Sequence, residues 1–372
     1  MRRYRGAWLI VALVVLTGCG GGDQGSAGSK FVTVQTGENH SCAVDDGGGL
    51  WCWGANSFGE LGLGDTADRL TAVKVTSLER PVTGISLGRN HTCAVDDGGG
   101  LWCWGGNFTG KLGTGDLDPV GKPARVGFGF PGGVQHVMAG NDRTCAIDGT
   151  GGAWCWGRNA DESIALGGDE IILTPQKVSS GPVRDILVTA TQVCLLGDGL
   201  TCQGADGKVL AQTSQKASAV VPIKGLPEDA GSLTVAGLRT CAVGGGDVWC
   251  WGYTVNPLSP SGREWVDPTI AMDQDAVKVV GTEGGLCTLD GDGTVACWGR
   301  RDLSRAATSM DGPREPEVVV GLENGVKDIS SGPTNVCAVT GDGEVLCWGA
   351  NDSGQLGDGT RNSSTAPVRV RA

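Results

Sequence analysis

The sequence predicts an all-β fold, a seven-bladed β-propeller with one disulfide in the central hairpin of each blade. Three observations lead to this prediction. Fourteen of the 15 cysteines fall into seven pairs that recur about every fifty residues, a Gly-rich turn separates the cysteines of most pairs, and tryptophans flank the second cysteine in most repeats. A fixed period of this length is typical of propellers and other repeat architectures.

Composition agrees with a turn-rich β protein and restricts its partners. The 372 residues include 66 glycines and 12 tryptophans, and 19% are charged, as expected for many tight turns around an apolar core. The formal net charge is −12, and it becomes −15 when Arg2, Arg3 and Arg5 are removed with the leader described next. We therefore expect no nucleic-acid partner and no direct attraction to an anionic lipid surface.

Residues 1–18 are predicted to be a bacterial lipoprotein signal peptide. A basic start precedes about ten apolar residues and a small-residue cleavage site. The string Leu-Thr-Gly-Cys that ends at Cys19 resembles a lipobox, in which the cysteine thiol is acylated. An uncleaved transmembrane anchor is the alternative, but a spanning helix needs about twenty apolar residues.

The segment after the cleavage site is predicted to be a flexible tether. Residues 19–30 are rich in Gly and Ser and have no apolar periodicity. We therefore expect a protein that is lipid-anchored in the bacterial cell envelope, on the periplasmic side of the outer membrane or at the cell surface.

Each cysteine pair is predicted to bridge its own β-hairpin. Between Cys42 and Cys52 an apolar segment lies on either side of an Asp/Gly tip, and folding about Gly47 sets the cysteines opposite each other, within disulfide distance. The seven predicted disulfides are Cys42–Cys52, Cys93–Cys103, Cys145–Cys155, Cys194–Cys202, Cys241–Cys250, Cys287–Cys297 and Cys337–Cys347. The same period places seven approximate blades at residues 31–81, 82–132, 133–182, 183–230, 231–276, 277–326 and 327–372.

Two pairs are shorter than the others. Cys194–Cys202 is shorter by two residues, which keeps every side chain on its original face. Cys241–Cys250 is shorter by one, so either the turn changes length or a β-bulge absorbs the difference. The spacing disfavours zinc, whose cysteine ligands lie two to four residues apart or alternate with histidine. We expect no metal and no cofactor.

The tryptophans are interpreted as core residues. They flank the second cysteine on both sides in four repeats, as Trp51/Trp53, Trp102/Trp104, Trp154/Trp156 and Trp249/Trp251. Positions i and i+2 share a strand face, so both indoles point away from the cysteine. This suits a strand packed between adjacent blades better than a ligand-binding aromatic box.

The loops after the Trp-Gly dipeptides carry a family resemblance. They read Trp53-Gly-Ala-Asn-Ser-Phe-Gly-Glu-Leu-Gly-Leu-Gly-Asp65, Trp104-Gly-Gly-Asn-Phe-Thr-Gly-Lys-Leu-Gly-Thr-Gly-Asp116 and Trp348-Gly-Ala-Asn-Asp-Ser-Gly-Gln-Leu-Gly-Asp-Gly-Thr360. With Gly37-Glu-Asn-His40 and Gly88-Arg-Asn-His91, they resemble the repeat of the regulator of chromosome condensation family. The resemblance covers residues 31–372 and implies seven blades of four strands.

The resemblance does not specify a function, and the middle repeats depart from it. Related propellers include exchange factors, scaffolds and a bacterial β-lactamase inhibitory protein, so function must be argued from the site. The fourth hairpin ends without tryptophan, at Gly204, and repeats four to six lack the Gly-x-Leu-Gly loop. The fifth carries a Pro-rich excursion from Tyr253 to Trp265.

No catalytic constellation is evident. His40 and His91 occupy equivalent repeat positions and are interpreted as structural, and no nucleophile motif accompanies His136. The string from Asp290 to Thr294 superficially resembles a calcium loop, but it lacks the third acidic position and the downstream glutamate, so we interpret it as a hairpin tip. Paired carboxylates for glycoside hydrolysis stay open, because their separation is spatial.

These observations favour a non-catalytic envelope protein that holds a protein partner with the loops of one propeller face. The alternatives are an inhibitor of an envelope or secreted enzyme, a lectin-like glycan-binding protein and, opposed by export and negative charge, a guanine nucleotide exchange factor. The loops after the Trp-Gly dipeptides are the expected contact surface, because equivalent positions in every blade emerge on the same face. The candidate binding-face residues are Phe58, Phe108, Arg158, Tyr253, Trp265 and Arg301.

Overall fold

The computed structural model of the chain is a closed ring of seven four-stranded antiparallel sheets. It describes residues 30–160, 162–164, 169–179, 181–190, 192–204, 221–255, 263–272, 275–299 and 316–372. These residues form strands, turns and loops, and no helix among them is long and apolar enough to cross a membrane. The predicted seven-bladed propeller is confirmed.

Every blade consists of four consecutive strands, here lettered A to D. Blade 1 has β1 (Phe31–Thr36), β2 (His40–Asp45), β3 (Leu50–Gly54) and β4 (Arg69–Lys74). Blade 2 has β5 (Val82–Leu87), β6 (His91–Asp96), β7 (Leu101–Gly105) and β8 (Val120–Arg125). Blade 3 has β9 (Val134–Ala139), β10 (Arg143–Asp148), β11 (Ala153–Arg158) and β12 (Ile171–Lys177).

The remaining four blades follow the same order. Blade 4 has β13 (Asp185–Val188), β14 (Gln192–Leu196), β15 (Leu200–Gly204) and β16 (Val221–Ile223). Blade 5 has β17 (Gly231–Ala236), β18 (Arg239–Gly244), β19 (Asp247–Val255) and β20 (Arg263–Met272). Blade 6 has β21 (Ala276–Gly281), β22 (Gly285–Asp290), β23 (Val295–Gly299) and β24 (Glu317–Val318). Blade 7 has β25 (Val326–Ser331), β26 (Asn335–Thr340), β27 (Val345–Gly349) and β28 (Ser364–Arg369).

All seven predicted disulfides are present, each between strands B and C of one blade. Their Cα atoms lie 4.0 to 4.2 Å apart, as for directly opposed antiparallel residues. In the hairpin of Cys241 and Cys250 the turn has changed length: Gly244 pairs with Asp247 without a register shift. Gly245 and Gly246 form the two-residue turn with φ of 64° and 85°, values that glycine adopts at no steric cost.

The tryptophans that follow the second cysteine fill the spaces between blades. Trp53, Trp104, Trp156 and Trp251 are fully buried. Each indole of the first three donates its Nε1–H to a carbonyl of an adjoining blade, as from Trp104 to Glu60 at 2.9 Å. The core is therefore a series of clusters between neighbouring blades, and core packing is confirmed for these four tryptophans. The tryptophans that precede the second cysteine, Trp51, Trp102, Trp154 and Trp249, are only half-buried.

Strand A of each blade lies innermost and strand D outermost. The pairing of His40 with Gly54 places the C–D loop beside the A–B turn at the same end of the blade. We call this end of the ring the loop face. The opposite end, which carries the B–C tips and the D–A connections, is the hairpin face.

Blades 7 and 1 close the ring side by side, because each sheet contains only its own four strands. Phe31, Val34 and Trp53 of blade 1 share a buried cluster with Val345 and Leu356 of blade 7. The outer strands are joined as well: Gly359 N–H donates to Leu70 O at 2.9 Å, and Ala72 N–H donates to Arg371 O at 2.7 Å. The last strand therefore stays in its own blade, and the residues after it reach the first.

Candidate protein-binding face

A buried asparagine organises the C–D loop in each of blades 1, 2, 3 and 7. Asn56 accepts the Leu61 N–H at Oδ1 over 2.9 Å and donates from Nδ2 to the carbonyls of Asp65 and Ala67 at 2.9 and 3.1 Å. Asn107, Asn159 and Asn351 repeat this arrangement. These asparagines stand in the motifs quoted above, but sequence reasoning gave them no role. Their shared position after Trp-Gly was the signal.

Each loop is also fixed to the next blade. In the loop of blade 1 the Glu60 carbonyl accepts the hydroxyl of Thr92 at 2.8 Å and the indole of Trp104, while Leu61 is fully buried. A buried amide with satisfied hydrogen bonds and a buried anchor leave little freedom to the backbone. The described C–D loop of blade 1 is therefore held firmly in place by these contacts.

Phe58 and Phe108 form an aromatic pair on this surface. Their ring centroids lie 5.4 Å apart at an interplanar angle of 82°, an edge-to-face contact between the loops of blades 1 and 2. Phe108 is 57% exposed and Phe58 is half-buried. Two of the predicted binding-face residues thus come together, and they present apolar area that the propeller itself does not cover.

The surface around the pair is acidic. Arg69 and Arg89, the arginines nearby in sequence, are each paired with a carboxylate, at 2.6 Å to Asp65 and 3.1 Å to Glu38. Asp116 and Asp118, on the loop that carries Phe108, are exposed and form no ion pair with a described residue. Lys122, which is exposed and packs against Gly64 of the blade 1 loop, also forms no ion pair with a described residue. The loops of the aromatic pair therefore carry two unpaired aspartates and one unpaired lysine, a small excess of negative charge.

The other predicted binding-face residues lie elsewhere. Arg158 is exposed at the end of β11 in blade 3. Tyr253 and Trp265 face each other across β19 and β20, with ring centroids 5.5 Å apart and an edge-to-face angle of 85°. The excursion predicted there begins as a strand extension, because Val255 still pairs with Arg263. Arg301 and the lipidation candidate Cys19 lie outside the described residues.

Two histidines bridge neighbouring blades, as the structural interpretation requires. His40 Nε2 lies 2.8 Å from Thr92 Oγ1, and His91 Nε2 lies 2.9 Å from Thr144 Oγ1. Each threonine hydroxyl donates onward to a loop carbonyl, so the histidine must be the donor at Nε2. Both Nδ1 atoms are buried without a partner among the described residues. Burial, with a contribution from Lys111, lowers the pKa of His40 from 6.5 to about 3 and that of His91 well below 6.5.

Equivalent positions in the C–D loops carry different charges. Glu60 Oε2 accepts the Phe58 N–H at 2.7 Å, and burial raises its pKa. Lys111 takes this position in blade 2 and donates from Nζ to Asn141 O of blade 3 at 3.0 Å; burial lowers its pKa. The backbone of the loop below Phe58 is thus held by a carboxylate, and the loop of Phe108 by an ammonium group that reaches the next blade.

The described residues contain no cluster of three or more histidine, cysteine, aspartate or glutamate side chains that could hold a metal ion. Asp290 to Thr294 forms a hairpin tip, with Asp290 N–H bonded to Thr294 O. The fold thus defines a disulfide-stapled propeller whose described C–D loops present an exposed aromatic pair.

Comparison with known sequences identifies the repeats. Two profiles of the Regulator of chromosome condensation (RCC1) repeat match the chain, one at residues 47–95, 98–147 and 342–372 and the other at 31–60, 82–111 and 326–355. The chain therefore carries RCC1 repeats in these segments. All matched segments lie in blades 1 to 3 and in blade 7, outside blades 4 to 6, which depart from the motif.

Individual relatives share less than half of the chain. X-linked retinitis pigmentosa GTPase regulator of Mus musculus is 31% identical over 153 residues, 40% of this chain and 15% of the relative. The Ultraviolet-B receptor UVR8 of Arabidopsis thaliana is 30% identical over 156 residues, 42% of this chain and 36% of the receptor. The matched segments therefore span about a third or less of these relatives.

Solved structures share the fold. Human WBSCR16 superposes with a TM-score of 0.72 at 18% identity, covering 87% of this chain and 94% of that one. Yeast RCC1 (Prp20), solved bound to Kap60, superposes with a TM-score of 0.70 at 20% identity, covering 87% and 83%. At these identities the likeness establishes the propeller architecture alone.

Proposed function

We propose that the protein is a non-catalytic binding propeller that holds a protein partner on its loop face through Phe58 and Phe108. The observation that carries this proposal is the exposed edge-to-face pair on loops with buried asparagine anchors. Aromatic side chains in rigid settings contribute most of the energy of many protein interfaces, and a fixed surface loses little conformational entropy on binding.

The charge around the pair specifies the chemistry of the partner. Asp116 and Asp118 are exposed without a cationic partner among the described residues, and the whole chain is acidic. Complementary potentials favour encounter with a basic surface. The proposed partner therefore presents an apolar pocket bordered by lysine or arginine. Binding of proteins by relatives supports the class of partner, since the yeast RCC1 structure contains Kap60.

Envelope extracts passed over the immobilised protein test this proposal. Phe58→Ser with Phe108→Ser removes the apolar contact at the surface without altering the buried asparagines, so we expect loss of one stoichiometric, salt-sensitive partner. Val320→Ser is the matched control, because Val320 is 83% exposed and follows strand D of blade 6, towards the hairpin face. Equal recovery by both variants, or no stoichiometric protein in any eluate, would contradict the proposal.

The proposed location is the bacterial cell envelope, with a lipid on Cys19. The support is the basic and apolar leader that ends directly before Cys19. Seven disulfides agree with export, because such bonds persist outside the reducing cytosol. Metabolic labelling with a radioactive fatty acid should mark the wild-type protein and leave Cys19→Ser unlabelled. Label on both proteins would rule out Cys19 as the lipid site.

An inhibitor is a special case of the same proposal, in which the partner is an envelope or secreted enzyme and the Phe pair covers its active site. Addition of the purified protein to such hydrolases distinguishes the two, since a scaffold leaves their rates unchanged. A lectin-like role would use Tyr253 and Trp265, whose rings pack against each other. Glycan binding that survives their alanine substitution would exclude that site.

A further inference from the structure

The innermost strands enclose a cavity of about 520 Å³ on the propeller axis, and its lining includes the A–B turns of the loop face. This volume is within the range of small-molecule sites. The lining comes from strand A of all seven blades, and one residue of each blade stands opposite the first cysteine. These residues are Gln35, Ser86, Met138, Leu187, Thr234, Val280 and Ser330.

Charge in this channel is not balanced. The two cations that line it are already paired: Lys278 Nζ lies 2.7 Å from Asp328 Oδ1, and Arg89 Nε lies 3.1 Å from Glu38 Oε2. Asp185 also lines the cavity and forms no ion pair with a described residue. Glu283, at the A–B turn of blade 6, also lines the cavity and forms no ion pair with a described residue. The described wall of the channel therefore keeps two uncompensated carboxylates.

The Asp185 carboxylate is fixed in place and retains acceptor capacity. Asp185 Oδ1 accepts the N–H of Ile186 at 2.8 Å, and Oδ2 accepts the N–H of Leu233 from blade 5 at 3.2 Å. Each carboxylate oxygen has a second lone pair. No described residue donates to these second lone pairs.

His136, on the neighbouring blade, supplies a second acceptor. Its side chain lines the cavity and is exposed, and its ring nitrogens form no hydrogen bond with a described residue. Although His136 is exposed to the cavity, the surrounding channel walls desolvate its imidazole and lower its pKa, with Asp185 opposing and Lys278 adding to the shift. At pH 7.5 the imidazole is neutral and keeps one unprotonated nitrogen.

An apolar wall lies above these two acceptors. Met138 is two residues after His136 on β9, and Leu187 is two residues after Asp185 on β13, so each pair shares one face of its strand. All four residues line the cavity. Along each of the two strands, a hydrogen-bond acceptor (His136 or Asp185) is thus followed by an apolar side chain (Met138 or Leu187) on the same face.

We propose that this channel binds a small organic ammonium ion, with Asp185 and His136 as hydrogen-bond acceptors and Met138 and Leu187 in contact with its aliphatic part. A carboxylate ligand is disfavoured, because the lining cations are already neutralised and Asp185 would repel it. This site is independent of the protein-binding surface and can be tested without any partner.

Hexylammonium and hexanoate, which have six-carbon chains of opposite charge, test the proposal on the purified full-length protein at pH 7.5. Ligand-observed NMR titration should detect hexylammonium binding and no hexanoate binding. Asp185→Asn should weaken hexylammonium affinity about tenfold or more, because it removes a charge-assisted hydrogen bond. Asp292→Asn, a carboxylate on the hairpin face, should leave the affinity unchanged. Equal binding of both probes, or of neither, overturns the proposal.

The imidazole resonances provide a readout that does not depend on a variant. The protein has three histidines, and two of them, His40 and His91, are fully buried. Hexylammonium should shift the His136 signal and leave the other two in place, and His136→Gln should weaken binding without loss of fold. An unchanged His136 signal at saturating hexylammonium would mean that the cavity holds solvent only, and would overturn the assignment.

Discussion

The backbone N–H of Ala72 donates to the carbonyl of Arg371 at 2.7 Å, which ties the outer strand of blade 1 to the residues after the last strand of blade 7. On strand D, one residue pairs with the second cysteine of the blade, and in blade 1 the residue before it is Ala72. In five other blades this position is a proline, at residues 123, 175, 268, 316 and 367. Proline has no N–H and protects an outer strand against further pairing. In blade 1 the alanine has an N–H, and this group makes the hydrogen bond that joins blade 1 to the residues after the last strand of blade 7.

Deletion of residues 370–372 should therefore open the closure between blades 7 and 1. Val370 is buried, and its loss costs about 2 kcal/mol, to which the lost Ala72 hydrogen bond adds about 1 kcal/mol. We expect urea unfolding to show a decrease of about 3 kcal/mol in the free energy of unfolding. Hydrogen exchange should show a loss of protection at the Ala72 amide.

Deletion of Ala372 alone is the control for that experiment, because its side chain is exposed and it takes no part in the hydrogen bond from Ala72 to Arg371. It should leave both measurements unchanged. An Ala72 amide that stays protected after removal of residues 370–372 would mean that the ring closes in another way.

The buried histidines should make the protein acid-sensitive. His40 and His91 are neutral in the folded state because their pKa values are lowered, that of His40 to about 3, whereas in the unfolded chain they take up a proton near pH 6.5. The unfolded state then binds more protons, so stability is complete above pH 6.5 and falls as the pH decreases below it. At pH 5, each buried histidine should lower the free energy of unfolding by up to about 2 kcal/mol relative to neutral pH.

Urea unfolding at pH 7.5 and pH 5.0, with the disulfides intact, checks this expectation. His40→Gln with His91→Gln is the matched variant, because blade 4 carries Gln192 at the same position. The variant should lose much less stability between the two pH values than the wild type. Parallel losses in both proteins would show that other groups cause the acid sensitivity.

The aspartate at the hairpin tip should have opposite effects in two blades: Asp45 should stabilise blade 1, and Asp290 should destabilise blade 6. Burial alone would raise the pKa of Asp45, but hydrogen bonds from Trp51 and Gly49 and the ammonium of Lys74 lower it overall. In blade 6 the position of Trp51 is occupied by Ala296, which has no indole to donate a hydrogen bond. Asp290 Oδ1 is buried with no partner among the described residues. Burial and the carboxylates of Asp292 and Asp275 raise its pKa.

Opposite effects of two asparagine substitutions follow from this difference. At pH 7, Asp290→Asn should raise the free energy of unfolding by about 0.5 to 1 kcal/mol and Asp45→Asn should lower it by about 1 to 2 kcal/mol. The gain from Asp290→Asn should vanish at acidic pH, where the wild-type carboxyl is protonated. Thermal unfolding at pH 7 and pH 3 measures both effects, and equal signs for the two variants would refute the role of the missing indole.

The repeat made the propeller and its disulfides predictable, because every cysteine pair and Asp/Gly tip occurs in equivalent places. The contact between Phe58 and Phe108 was not predictable, since Phe58 directly precedes the loop glycine and Phe108 stands one position earlier in its repeat. The channel acceptors Asp185 and His136 share one register position on strands that carry no common motif. Contacts that depend on differences between repeats could therefore be identified only from the structure.

A photo-crosslinking amino acid at position 108, incorporated in living cells, tests the proposed binding face most directly. We expect one discrete crosslinked partner from position 108, lost when Phe58→Asp is added in the same chain, and no such product from position 320 near the hairpin face. The crosslinked partner should present lysine or arginine around an apolar contact. Absence of a crosslink at position 108, or the same product from position 320, would contradict the loop face as the binding surface.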